Sequence, residues 1–283
     1  MSLSRISVRI VKMSNDGAKN FGIFTHGNRN FIKITIVSYR RVRGLSPVIM
    51  TPNLQTFVNS FQNRLEPPVR QHLKNVYGTL MMTCGSALAG VYVDMYTWFQ
   101  AGILSAIAGA GLMLMLIATP DNGKNTNLRL GYLLGFGLTS GMSLGPLLDY
   151  VSFVDPSIIV TALLGTTLVF VCFSIAAMLA DRGSWLFLGG TLMTLLTSMS
   201  LMTLVNIFMQ SHFLYQAHLY LGLMLMCGFV LFDTQLIIEK RRMGNKDFVQ
   251  HALELFIDFI GMFRRLLIIL SQKEENNRRR KRE

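Results

Sequence analysis

The sequence predicts an all-α membrane protein, a polytopic bundle of six to seven transmembrane helices. Three observations carry that prediction. Hydrophobic residues make up 51% of the 283 residues and charged residues only 15%, against about 25% in an ordinary soluble domain. A soluble surface needs more charge than that, so the composition disfavours soluble enzyme folds, disordered chains and collagen-like fibres. Apolar runs of membrane-crossing length, ~20 residues each, recur along the chain. The Lys/Arg content of the connections between them alternates, as it does in a chain that crosses a bilayer repeatedly.

Residues 1–52 read as a basic N-terminal extension, expected to be disordered. Within it stand Arg5, Arg9, Lys12, Lys19, Arg29, Lys33, Arg40, Arg41 and Arg43, against the single acid Asp16. No apolar core of a secretory signal is present in this stretch. A basic arm lying at an anionic lipid surface is the preferred reading. Two others stay open: a mitochondrial transit peptide, which makes a mitochondrial membrane the alternative location, and an upstream extension with Met50 as the working start.

Residues 53–75 are an amphipathic cytosolic lead-in, and residues 76–271 the membrane domain. Seven candidate spans follow: Val76–Met95, Ala101–Ala118, Leu130–Leu148, Ile158–Leu179, Trp185–Phe208, Phe213–Ile238 and Phe248–Ser271. The runs Thr119-Pro120-Asp121-Asn122-Gly123 and Asp155-Pro156-Ser157 are strong turn signals between them. From Asn75 to Ile238 only Lys124, Arg129 and Arg182 are basic, so there is no basic face for nucleic acid. The first, third and fifth connections lack Lys/Arg, whereas the sixth has Lys240, Arg241, Arg242 and Lys246. The positive-inside rule then places the N-terminus and the even connections in the cytosol. Residues 272–283, with Arg278, Arg279, Arg280, Lys281 and Arg282, break this pattern if the seventh run crosses. Either the last helix re-enters or the tail violates the rule. Tyr96, Trp98 and Trp185 read as interfacial anchors.

On the third run Gly137, Gly141 and Gly145 form a ridge at four-residue spacing, which lets two helices approach closely in lipid. Gly131 and Gly135 are a second such pair. Cys84, Cys172 and Cys227 each lie in an apolar run without metal or disulfide spacing. His26, His72, His212 and His218 have no metal spacing and read as loop or interface residues.

The chemistry concentrates on two acids. Asp233 lies within Phe229-Val230-Leu231-Phe232-Asp233-Thr234-Gln235, and Asp258 within Leu255-Phe256-Ile257-Asp258-Phe259. A carboxylate at membrane depth is costly unless paired or wetted, and marks a functional-site hypothesis by default. The bland readings are a position near the headgroups for Asp233 and an ion pair with Arg264 or Arg265 for Asp258. In the last run Asp247, His251, Glu254, Asp258, Gly261 and Arg265 step by four and three residues, which puts them on one helix face. That stripe faces other helices or a wet pathway; the rival is an amphipathic helix lying flat on the membrane. If Asp233 and Asp258 meet, they share a proton. Fully ionised, they offer oxygen ligands to a hard cation such as calcium, held transiently. Glu254 and His251 would line the approach, His251 as a group that titrates near neutral pH.

The string Gly228-Phe229-Val230-Leu231-Phe232-Asp233-Thr234-Gln235 resembles the signature of the Bax inhibitor family, the transmembrane BAX-inhibitor-motif proteins. Supporting stretches are Gln71-His72-Leu73-Lys74-Asn75-Val76-Tyr77, Ser143-Leu144-Gly145-Pro146, Leu186-Phe187-Leu188-Gly189-Gly190, and Phe256-Ile257-Asp258-Phe259 followed by Phe263-Arg264-Arg265. The resemblance runs from about Asn53 to the end and is closest to the founding endoplasmic-reticulum member.

This resemblance implies six helices around a central, more polar seventh, in the endoplasmic-reticulum membrane. It implies that Asp233 and Asp258 are a di-aspartyl pH sensor controlling a passive calcium leak, with calcium the permeant ion and no cofactor. It further implies restraint of cell death and stress signalling, contact with Bcl-2-type proteins, and a basic tail tied to pH response. One departure stands out. Bacterial members carry a basic residue on the second helix against the aspartates, and Ala101–Ala118 has no charge.

No enzyme is predicted. An intramembrane aspartyl protease also pairs two aspartates, but its glycine motif is missing around Asp233 and Asp258. A rhomboid-like serine protease would use Ser143 in Gly141-Met142-Ser143-Leu144-Gly145 with His218 as base, yet Ser143 lies on the glycine ridge. The alternative to a leak is a membrane scaffold that binds apoptotic regulators without conducting ions.

Overall fold

A computed structural model describes residues 9–15, 18–24, 65–96 and 102–281. The chain divides into two units, residues 1–52 and 53–283. In the first, β1 (Arg9–Asn15) pairs antiparallel with β2 (Ala18–Phe24), Asn15 opposite Ala18 and Arg9 opposite Phe24. The strands are separated by Asp16-Gly17, a residue pair strongly favoured between hairpin strands. The sequence reading made this region a disordered arm. The hairpin covers two stretches of it, and the rest, with His26 and Met50, lies outside the described residues.

The second unit contains seven helices among the described residues: α1 (Pro67–Tyr96), α2 (Gly102–Ala118), α3 (Thr126–Val154), α4 (Ser157–Leu179), α5 (Leu188–Met209), α6 (His212–Arg242) and α7 (Phe248–Arg280). By length and composition α1, α4, α5 and α6 can each cross a membrane, and α2 is a shorter apolar helix. Each predicted span falls on one helix. The fifth starts later than expected, because Trp185 belongs to the turn before α5. Trp98 lies outside the described residues.

Most helices bury one face and turn apolar side chains outward. Ile103, Phe153, Leu164 and Phe208 are all strongly exposed, which lipid rather than water satisfies. α7 is the exception. It packs against α1, α3, α4 and α6, and both of its sides are covered. Phe256 is fully buried, edge-on to Phe136 at 5.7 Å, and Phe259 packs on Phe170 at 5.5 Å. A helix lying flat on a surface would leave one side open, so that rival reading is overturned.

α7 also runs the length of α3. Near its start Asp247 meets Arg129 in the first turn of α3, and near its end Glu275 accepts from Tyr150 in the last turns of α3. With 33 residues it is about 50 Å long, enough to reach from one end of the bundle to the other. Its tail therefore stands at the end of the bundle away from Arg182, Arg242 and Lys246. There Arg278 faces Asp155 at 3.8 Å and Glu274 at 3.2 Å, and Arg279 faces Glu275 at 2.6 Å. Local acids thus pair with the basic residues of the tail. Arg282 is outside the described residues.

The glycine ridge of α3 lies against α1. A β-carbon at Gly137 would stand 2.8 Å from the Thr83 carbonyl oxygen, and one at Gly141 would collide with the Ala87 carbonyl. At Gly145 the space is filled by the Asp94 carboxylate. The second glycine pair does not act as a unit: Gly131 faces open space and Gly135 faces Leu112 of α2.

Candidate functional site

The connection between α6 and α7 turns at Gly244, whose φ of +99° suits a residue without a β-carbon. Asp247 then caps α7, its Oδ1 accepting from the Gln250 N–H at 3.0 Å, which satisfies one of the free amides of the first turn. From this cap the polar stripe of α7 runs inward against α1, α3 and α6, because exposure of such a face to lipid is costly.

Each rung of the stripe meets a partner on another helix. Arg129 Nη2 donates to Asp247 Oδ2 at 2.6 Å, with the two side chains 3% and 11% exposed. His72 Nε2 and His251 Nδ1 are hydrogen-bonded at 2.9 Å, their rings edge to face and both buried. Lys240 Nζ donates to Glu254 Oε1 at 3.2 Å, while Glu254 Oε2 is buried without a hydrogen-bond partner.

Deepest in this series, buried Asp258 faces half-buried Asp233 of α6, the two carboxyl groups close enough to interact directly. Asp258 Oδ2 has no hydrogen-bond partner. Two carboxyl groups can hydrogen-bond only if one carries a proton, since an ionised carboxylate is an acceptor alone. Asp258 lies about 16 Å along the helix from Asp247. The four rungs therefore lead from the basic end of the bundle into its interior.

The ion pair of Asp258 with Arg264 or Arg265 does not form. Arg265 Nη1 donates to its own helix at Gly261 O, 3.1 Å away, and Arg264 is exposed. Asp233 is turned into the helix interface. Among the described residues no three acidic, His or Cys groups converge on one point.

The sequence reading missed several members of this site. His72 is 5% exposed at the α1–α7 contact. Arg129 and Lys240 were read as orientation signals, yet both reach the stripe. Lys240 and Glu254 are also charged groups whose fields act on Asp233, so a basic residue near the pair comes from α6 and not from α2. Asp94 is 2% exposed, and its Oδ1 has no hydrogen-bond partner. An acid inside an apolar run was the signal that found Asp233 and would have found Asp94. His218 bonds to Thr203 Oγ1 of α5 at 3.3 Å.

Residues 69–275 match the family described as inhibitor of apoptosis-promoting Bax1. The chain is similar to Bax inhibitor 1 of Bos taurus, 48% identical over 206 residues that cover 72% of this chain and 87% of that protein. Bax inhibitor 1 of Homo sapiens gives the same identity and coverage. Bax inhibitor 1 of Drosophila melanogaster is 45% identical over 213 residues, 75% of this chain and 87% of that protein. With a matched region that reaches from the first helix into the tail and includes the paired aspartates, the chain belongs to the Bax inhibitor family.

Proposed function

We propose that this multi-pass membrane protein mediates a pH-sensitive calcium leak in the endoplasmic-reticulum membrane and restrains apoptosis and stress signalling, with Bcl-2-type proteins as partners. It is not an enzyme. The names of its relatives support the anti-apoptotic role. One observation carries the leak: the close approach of two carboxyl groups, Asp233 and Asp258, along the polar stripe. A shared proton holds α6 and α7 together at this point. Its loss leaves two like charges in contact, which favours separation of the helices and opens oxygen ligands to a cation. His251 and Glu254 line the approach from the basic end.

The test is calcium flux from proteoliposomes across pH for wild type, D233N and D258N. The amide variants are expected to lose the pH dependence, and an unchanged profile in both sinks the sensor. An unaltered leak in D258N together with retained survival activity points to the scaffold reading instead.

A further inference from the structure

The polar face of α7 does not stop at the carboxyl pair. It continues through Gly261, Arg265, Ile268, Gln272, Glu275 and Arg279 in the same three- and four-residue steps, with Ile268 the one large apolar side chain. Its far end opens on a cavity of about 390 Å³ between α3, α6 and α7. Tyr150, Tyr215, Gln216, Ser271, Gln272 and Glu275 line it with oxygen and amide groups. Ser271 is 2% exposed, and its Oγ has no hydrogen-bond partner. A polar mouth thus stands at the end of the bundle opposite the His72–His251 pair.

Arg265 lies between this mouth and the carboxyl pair, about 10 Å along the helix from Asp258. No carboxylate forms an ion pair with it among the described residues. Its Nη1 is bonded to Gly261 O, and its Nε is buried without a hydrogen-bond partner. α6 leaves room for the guanidinium at Gly222, where a side chain would run into Arg265 Nε. His218, one turn earlier on α6, lies within its electrostatic reach. An unpaired guanidinium at membrane depth is costly without a role. Fixed arginines in pores raise an electrostatic barrier to cations.

We propose that Arg265 is the cation barrier of the pathway, a fixed positive charge set between the far-end cavity and the Asp233–Asp258 pair. The inference rests on the leak reading above. It assigns the resting resistance to Arg265 and leaves the pH response with the aspartates.

The test uses the full chain in calcium-loaded liposomes, comparing wild type, R265Q, R265K, H218E and D258N. R265Q is expected to raise the calcium leak on the order of tenfold, equivalent to about 1.4 kcal/mol, and R265K to restore the low leak. H218E puts a negative charge within electrostatic reach of the guanidinium and is expected to raise the leak with Arg265 in place. If R265Q leaks like wild type while D258N still alters the pH profile, the barrier is wrong and the leak reading stands. If wild type and R265Q both match protein-free vesicles, both fall. A silent wild type with a leaking R265Q supports the barrier and overturns the basal leak. A raised leak in R265K removes charge as the cause and overturns the proposal. Should R265Q aggregate, an unchanged leak in H218E overturns it.

Discussion

Arg129 and Asp247 are 118 residues apart in sequence and 2.6 Å apart in the structure, where they tie the start of α7 to the start of α3. Both side chains are nearly buried, and Asp121 stands 3.9 Å from the other side of the guanidinium. Removing one partner of a buried ion pair strands the other charge, at a cost of about 3–5 kcal/mol. R129A is expected to destabilise by that amount in equilibrium unfolding from detergent. D247N keeps an acceptor for the Gln250 amide and should cost less than D247A, which loses the cap as well. Equal stability of D247N and D247A would remove the cap from this account.

The α1–α3 contact offers a comparison between two glycines on one helix. A β-carbon at Gly141 meets the Ala87 carbonyl, whereas Gly131 has nothing within 4 Å. Backbone cannot move aside as a flexible side chain does, so G141A should cost about 1–3 kcal/mol or more through overpacking. G131A should be neutral or stabilising by up to about 1 kcal/mol, because alanine is the better helix former. A G141A protein as stable as G131A would mean that the helices are not held at this distance by the ridge.

What the sequence made legible follows from local pattern. Apolar runs between turn signals located α1 to α7, and the spacing of Asp247, His251, Glu254 and Asp258 marked the buried face of α7. The Gly137–Gly145 ridge could be read the same way, but four-residue spacing alone did not say that Gly131 faces open space. The partners of the stripe were illegible for a different reason. His72 and His251 are 179 residues apart, and no local periodicity links a residue early in α1 to one early in α7. Lys240 illustrates a second limit: one basic residue can mark the cytosolic side and also pair with Glu254. The setting of the tail was not legible from a rule that counts Lys/Arg alone, because Asp155, Glu274 and Glu275 stand beside it.

Gln235 fastens the α4–α5 connection to α6. Its Oε1 accepts from the Trp185 backbone N–H at 2.7 Å, and its Nε2 lies 3.3 Å from Ala177 O, 3.1 Å from Asp181 O and 3.3 Å from Ser184 Oγ. It is 4% exposed. Replacement by leucine leaves the Trp185 amide without its acceptor in a partly buried setting, so Q235L should cost about 1–3 kcal/mol. Amide hydrogen exchange across residues 180–188 should quicken in Q235L. Exchange as slow as in wild type would show that the connection is held by something else.

Asp155 gives a pH dependence whose sign can be worked out away from the membrane-spanning segments. The Ser157 backbone N–H donates to Asp155 Oδ1 at 2.9 Å. That bond, with a smaller contribution from the Arg278 charge, holds the carboxyl below its ordinary value of 3.8. A folded-state value below the unfolded one means that folding favours the ionised form. The stabilisation is therefore complete above about pH 5, and it is lost as the pH falls through the folded-state value. D155N keeps an oxygen for Ser157 but has no charge to titrate or to offer Arg278. Wild type should melt above D155N at pH 6, and the gap should close as the pH is lowered toward 3. A gap that stays constant over that range would mean that the ionised carboxylate contributes nothing to holding the α3–α4 turn and the tail of α7 in place.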